Sequence, residues 1–175
     1  MTRARDIVGI DYYCQLSDVD LLQELVSGLP RYAVCVNIGA AFGTSTLAML
    51  ETRRDTYVIS IDVAECAHER KALEESGLDY VTRYLRLLMP SQDAAEAWRF
   101  GKVDLVFVDG GHSFDDCYGD IRKWYRHVNI GGIVAVHDYE ADMLADIKPA
   151  TDQAASELGL QEIAHEGKLI AFRKV

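Results

Sequence analysis

The chain is constrained above all by five short runs rich in apolar residues, four of them followed directly by a glycine or a polar residue. They are Ala33 to Ile38, Tyr57 to Ile61, Tyr80 to Leu87, Val103 to Val108 and Ile133 to Val136. Most are continuous rather than alternating in hydrophobicity, as expected of strands covered on both faces. Helical patterns fill the gaps between them. Ser17 is expected to cap a first helix that stops at Gly28-Leu29-Pro30, with Asp18 and Asp20 in its first turn. Helices follow from Thr44 to Glu51, from Glu65 to Ser76 and, capped by Ser91, as far as Phe100. Cys117, Ile121, Trp124 and Val128 fall on one helical stripe, and Gly131-Gly132 turns the chain into the fifth strand. Pro149 and Gly159 frame a last helix, and Glu166-Gly167 sits between two short runs as a hairpin signal.

Strands alternating with helices predict the α/β class: a doubly wound, Rossmann-like, seven-stranded and mostly parallel sheet, with one antiparallel strand from the hairpin. A length of 175 residues suits one domain over residues 1–175, with 1–16 as an extension serving the substrate site or an oligomer contact. With 28 acidic and 18 basic residues the net charge is −10, and no basic stripe offers a grip on phosphate backbones. No apolar stretch is long enough to span a membrane, and Met1 to Asp6 lack the apolar run of a signal peptide. Cys14, Cys35, Cys66 and Cys117 form no C-x-x-C pair. The expectation is a cytoplasmic protein without nucleic-acid or membrane partners.

In such sheets ligands bind beyond the carboxyl ends of the strands, where strand order reverses. The residues there are Asn37-Ile38-Gly39, Asp62, Ser91, Asp109 and His137-Asp138. In the loop from Gly39 to Ser45, Ala41 stands where a dinucleotide fold needs its middle glycine, and no G-K-[ST] follows. The loop therefore brings backbone close to a ligand that has no diphosphate. Asp62, 19 residues after Gly43, is placed to accept both hydroxyls of a ribose. If the fourth and fifth strands are neighbours, their ends lie about 4.8 Å apart. Asp109 and Asp138 then share one cation, with His137 adding a nitrogen. The plainer alternative has Asp109 capping the next helix, Asp138 solvated in a loop and His137 packed in the core. His112 suits a general base near neutral pH, or is satisfied by backbone. His68, His127 and His165 read as solvated bystanders, and Asp115-Asp116 as support for a helix start.

The segments V-N-I-G-A-A-F-G-T-S-T, S-I-D, V-D-L-V-F-V-D-G-G-H-S-F and G-G-I-V-A-V-H-D-Y, in that order, resemble class I S-adenosylmethionine-dependent methyltransferases. The likeness covers about residues 17–175 and is greatest to the branch of small-molecule and sugar O-methyltransferases, many of them metal-dependent. It implies that Gly39, Ala40, Ala41 and Gly43 pack against the methionine part of the cofactor and that Asp62 holds its ribose. Ser91-Gln92 would lie by the adenine, and Asp109 would face the sulfonium and the acceptor. Asn37, Thr44, Ser45, Val63 and His112 complete the expected cofactor set. The family carries Glu or Asp where this chain has Asn37, which keeps an acceptor but loses the charge and hints at a compensating carboxylate nearby. The resemblance further implies catalysis by His112 and Asp109, Mg²⁺ or another divalent cation on Asp109 and Asp138, a small-molecule acceptor and a homodimer; His137 departs from the acidic or amide pair that the metal-dependent relatives carry there. Rival readings are a cofactor-binding module without turnover and a hydroxylase sharing the V-D-G-x-H pattern. Nucleic-acid methylation lacks its N/D-P-P-Y/F motif, in whose place stands Asp109-Gly110.

Overall fold

A computed structural model of the chain describes residues 1–8 and 14–175. Five strands alternate with helices: β1 (Val34–Ile38), β2 (Tyr57–Asp62), β3 (Tyr84–Leu88), β4 (Val103–Val108) and β5 (Val128–Val136). A hairpin of β6 (Gln161–Glu166) and β7 (Leu169–Arg173) closes the chain. The seven strands form one sheet in the order β3-β2-β1-β4-β5-β7-β6. Neighbours from β3 to β5 pair in parallel, and β7 runs antiparallel to both β5 and β6. The expected α/β fold is the one observed.

The continuous apolar runs have a direct cause. Along each central strand, successive residues point to opposite faces, and both faces are covered. Cys35, Leu105, Phe107, Ala135 and Ala171 join one core with α1 (Ala4–Val8), α2 (Leu16–Ser27), α3 (Thr44–Thr52) and α4 (Ala67–Ser76). Val36, Ile38, Val106, Val108, Val134 and Val136 join the other with α5 (Ser91–Ala97), α6 (Phe114–Tyr125) and α7 (Ile147–Leu158). Within the presumptive extension, Ala4 and Ile7 are part of the first core. Among the described residues no helix is long and apolar enough to cross a membrane.

Several boundaries differ from expectation for local reasons. Ser17 does not cap α2. Gln15 does, because Asp18 reaches back to accept its backbone N–H at 2.8 Å. Ser91 is the first residue of α5, after Pro90, and its hydroxyl donates to Asp120 on α6. That helix stops at Ala97, since Trp98 turns extended and its indole N–H closes onto the Gly101 carbonyl at 2.7 Å. β3 begins only at Tyr84 because Tyr80 to Arg83 form a turn, and the Arg83 guanidinium binds the carbonyls of Leu50, Arg53 and Thr56. The helix expected from Glu65 starts at Ala67. Val128 opens β5 instead of extending the α6 stripe, and Gly131-Gly132 lie inside that strand at its irregular pairing with β4. His127 is not a bystander: its Nε2 donates to the Ala95 carbonyl at 2.8 Å, and its ring packs edge-on against Trp124.

Parallel register levels the strand ends. Ile38 pairs with Ile61 and Val108, and Val108 pairs with Val136. Gly39, Asp62, Asp109 and His137 therefore leave the sheet along one edge. Strand order reverses there between β1 and β4, the place a ligand site is expected.

Candidate active site

A cavity of about 430 Å³ opens at this edge. Gly39, Ala41, Asp62, Val63, Ser91, Asp109, His112, His137 and Asp138 all line it, as anticipated, joined by Cys14, Ile38, Ile61, Met89, Gly110 and Gly111.

At one end stands Asp62. One carboxylate oxygen accepts the Ala40 N–H and the other the Ala64 N–H, each at 2.8 Å. Burial works against its ionisation, but these backbone donors outweigh burial and hold its pKa below the usual carboxylate value. The carboxylate is thus fixed and charged where it lines the cavity. Ser91 gives its proton to Asp120, so its oxygen is left to accept from the cavity. Burial lifts the Asp120 pKa to about 6.

The turn between the two halves depends on Gly39. Its φ is +86°, and a Cβ there would lie 2.0 Å from the Asp109 carbonyl oxygen. The backbones of the first and fourth strand exits touch, and only glycine permits it. Ala41 holds a left-handed φ of 39° beside the cavity, a conformation that costs a non-glycine residue about 1 kcal/mol or more.

Other members of the expected cofactor set lie behind this wall. Asn37 is fully buried; its amide donates to Thr46 Oγ1 at 3.0 Å and its oxygen accepts from Ser45 at 3.1 Å. The carboxylate nearest this network is Glu69, which accepts from Thr46, Ser60, Tyr84 and Arg86; it does not line the cavity and so does not replace the charge there. Gly43 packs on the backbone of Glu69. Ala40, Thr44 and Ser45 line a small hollow of about 30 Å³ that shares Cys14, Gly39, Ala41 and Asp109 with the main cavity. Gln92 lies over Gly119 on α6 instead.

At the far end the imidazole of His137, 1% exposed, sits among three carboxylates. Its Nε2 is 3.2 Å from Asp18 Oδ2, and its Nδ1 is 3.2 Å from Asp109 Oδ1 and 3.5 Å from Asp138 Oδ1. Asp138 also meets His112 Nε2 at 3.3 Å and Lys168 Nζ at 3.5 Å. Burial opposes protonation of His137, but the three carboxylates prevail and hold its pKa well above the ordinary value. Asp138 in turn is buried yet held far below the carboxylate range by His112, His137 and Lys168. His112 is raised, chiefly by its contact with Asp138. Two of the plainer alternatives do not survive this geometry, whereas His137 is packed beside Phe107 as the third has it. Ser113, not Asp109, caps α6, with Asp115 and Asp116 in the first turn as expected. Asp138 is only 4% exposed, and its φ is 59°.

The donor atoms of Asp109, His137 and Asp138 lie within 4.8 Å of one another. Among the described residues the buried Nδ1 of His137 has no hydrogen-bond partner of good geometry. Two carboxylates and an imidazole nitrogen converging on one point fit a divalent cation. Sequence reading missed Asp18 and Lys168, because α2 and the hairpin reach the site only through the tertiary fold; Asp18 and His137 are 119 residues apart.

A family model described as a methyltransferase domain matches residues 36–139, the stretch holding every strand exit named above. An uncharacterised protein of Acanthamoeba polyphaga mimivirus is 25% identical over 116 residues, 60% of this chain and 51% of that protein. The chain thus spans about half the length of that curated relative. Among solved structures, a Corynebacterium glutamicum protein superposes with a TM-score of 0.75 at 19% identity, covering 98% of this chain and 88% of its own. An O-methyltransferase from Bacillus cereus, in complex with S-adenosylhomocysteine, gives 0.72 at 14% identity over 98% and 89%. An rRNA methylase from Streptococcus thermophilus gives 0.66 at 16% identity over 90% and 93%. At such identities the likeness is one of fold.

Proposed function

The chain belongs to the methyltransferase-domain family, with the fold of the class I S-adenosylmethionine-dependent enzymes, and on that premise we propose that it methylates a hydroxyl of a small acceptor with the aid of a divalent cation. One observation carries the reading: a single cavity joins a fixed carboxylate, Asp62, to the cluster of Asp109, His112, His137 and Asp138. Its volume of about 430 Å³ suits a small ligand. S-adenosylmethionine supplies a methyl group on a cationic sulfur, poised for in-line displacement. Asp62 would hold the ribose hydroxyls, and the Gly39–Ala41 backbone would follow the methionine chain. Asp109, whose side chain is 29% exposed, would face the sulfonium.

On the acceptor side, positioning supplies much of the rate of such a displacement. A cation on Asp109, His137 and Asp138 would lower the pKa of an acceptor hydroxyl by Lewis acidity. His112 is placed to take the hydroxyl proton, and Asp138 at 3.3 Å orients its ring and favours the imidazolium that results. The imidazole in the donor set favours Mn²⁺ over Mg²⁺. The net charge of −10 argues for a small acceptor over a nucleic acid, although an rRNA methylase shares the fold. A cytoplasmic setting and a homodimer belong to the same proposal.

Calorimetric titration with S-adenosylhomocysteine tests the first half. Wild type should bind, and Asp62→Ala should lose roughly 1–3 kcal/mol of affinity, as expected for loss of hydrogen bonds to a charged group. Absence of binding to wild type overturns the proposal. Transfer of a labelled methyl group to catechols and sugars, with Mn²⁺ or with excess chelator, tests the second. Full turnover in chelator would remove the cation while leaving the methyl transfer.

A further inference from the structure

Asp18 belongs to the first turn of α2 and to no strand exit, yet it is 2% exposed and meets the His137 ring at 3.2 Å. We infer that Asp18 is a positioning residue for the cation site: it holds the Nε2–H of His137 so that Nδ1 faces the gap between Asp109 and Asp138. This rests on the proposal that those residues bind a divalent cation.

The chemistry follows from what each group is able to donate. An ionised carboxylate only accepts, so the contact places a hydrogen on Nε2. In the neutral ring the lone pair is then on Nδ1. That nitrogen is buried, has no hydrogen-bond partner of good geometry among the described residues, and has the oxygens of Asp109 and Asp138 at 3.2 and 3.5 Å. A lone pair facing two carboxylate oxygens is repulsive, and either a proton or a cation on Nδ1 removes the conflict. Histidine ligands are held in this way by an outer carboxylate that fixes tautomer and orientation.

Asp18 is itself immobilised. Its Oδ2 accepts the Gln15 N–H at 2.8 Å and its Oδ1 the Lys168 N–H at 2.9 Å. The hairpin turn presses on the same carboxylate: a Cβ at Gly167 would lie 2.4 Å from Asp18 Oδ1. The carboxylate is thus held from α2 and from the hairpin while it faces the end of β5.

Binding of Mn²⁺ to chelator-treated protein, read from the electron paramagnetic resonance of free Mn²⁺, provides the test. Wild type should bind, Asp109→Asn should not, and Asp18→Asn and Asp18→Ala should bind roughly 10–100-fold more weakly with unchanged circular dichroism. Asp18 variants that bind as tightly as wild type, while Asp109→Asn fails, overturn the role of Asp18 and leave the cation reading intact. Wild type that binds S-adenosylhomocysteine but no Mn²⁺ overturns both. If the variants fail to fold, wild type alone decides: in the Zn²⁺-loaded protein, ¹⁵N correlation spectra should show the His137 proton on Nε2. A proton on Nδ1 there overturns the inference.

Discussion

His112 shows how closely spaced chemistry is divided among neighbouring side chains. Asp109 and Asp138 flank the buried His137, whereas His112 touches only the outer oxygen of Asp138 and is 44% exposed at its side chain. It is the imidazole of the pair that an acceptor is able to reach. His112→Ala should therefore lower the turnover number by about 10²–10⁴, the range for a positioned base, while S-adenosylhomocysteine affinity stays within about twofold. Parallel loss of both, with a lower melting temperature, would mark a structural residue instead. Gly39 makes the opposite point. Its Cβ would overlap the Asp109 carbonyl at 2.0 Å, so Gly39→Ala must separate the first and fourth strand exits. Loss of S-adenosylhomocysteine binding together with a destabilisation of several kcal/mol is expected, measurable by urea unfolding; strain at a special φ adds to the clash.

Between elements, the informative contacts are the ones a sequence pattern does not encode. The central strands were legible because burial on both faces leaves an uninterrupted apolar run, and the strand exits followed from that. The place of Asn37 before the glycine loop suggests a cofactor contact. The structure turns its amide into the fully buried network that ends at Glu69, since alternate residues of β1 face the α3 side. Asp120 was not singled out at all, because only the packing of α6 on α5 buries it. Burial first, with Asp116 adding to it against Ser91 and Lys123, lifts its pKa from 3.8 to about 6. The folded state then binds a proton more tightly than the unfolded chain. Stability falls as pH rises from about 4 to above 6, by roughly 3 kcal/mol at most for a two-unit shift. Asp120→Asn mimics the protonated form and keeps the acceptor for Ser91. Urea unfolding should show it more stable than wild type at pH 8 and little different at pH 4. An equal gain at both values would assign the effect to something other than ionisation.

For the whole molecule, the decisive fact is that the sheet is built from two halves meeting between β1 and β4, and that the cavity draws on both. Asp62 comes from β2 on one side, and Asp109, His137 and Asp138 from β4 and β5 on the other. The hairpin contributes from outside, Lys168 meeting Asp138 at 3.5 Å, a contact no local pattern reveals. A cofactor lying along the cavity must tie the two halves together, and binding restricted to the native state stabilises it by mass action. At a hundredfold excess over Kd this is about 2.7 kcal/mol, or a rise in melting temperature of roughly 5–10 °C for a domain of this size. S-adenosylhomocysteine should produce that rise in wild type and a smaller one in Asp62→Ala at the same concentration. Hydrogen exchange should slow at both ends of the cavity, at Gly39 and Asp62 to Ala64 in one half and at Asp109 to Gly111 in the other, with the β6 edge unchanged. Protection confined to the first half would mean that the ligand stops short of Asp109, and the sulfonium would then lie too far from His112 for the proposed transfer.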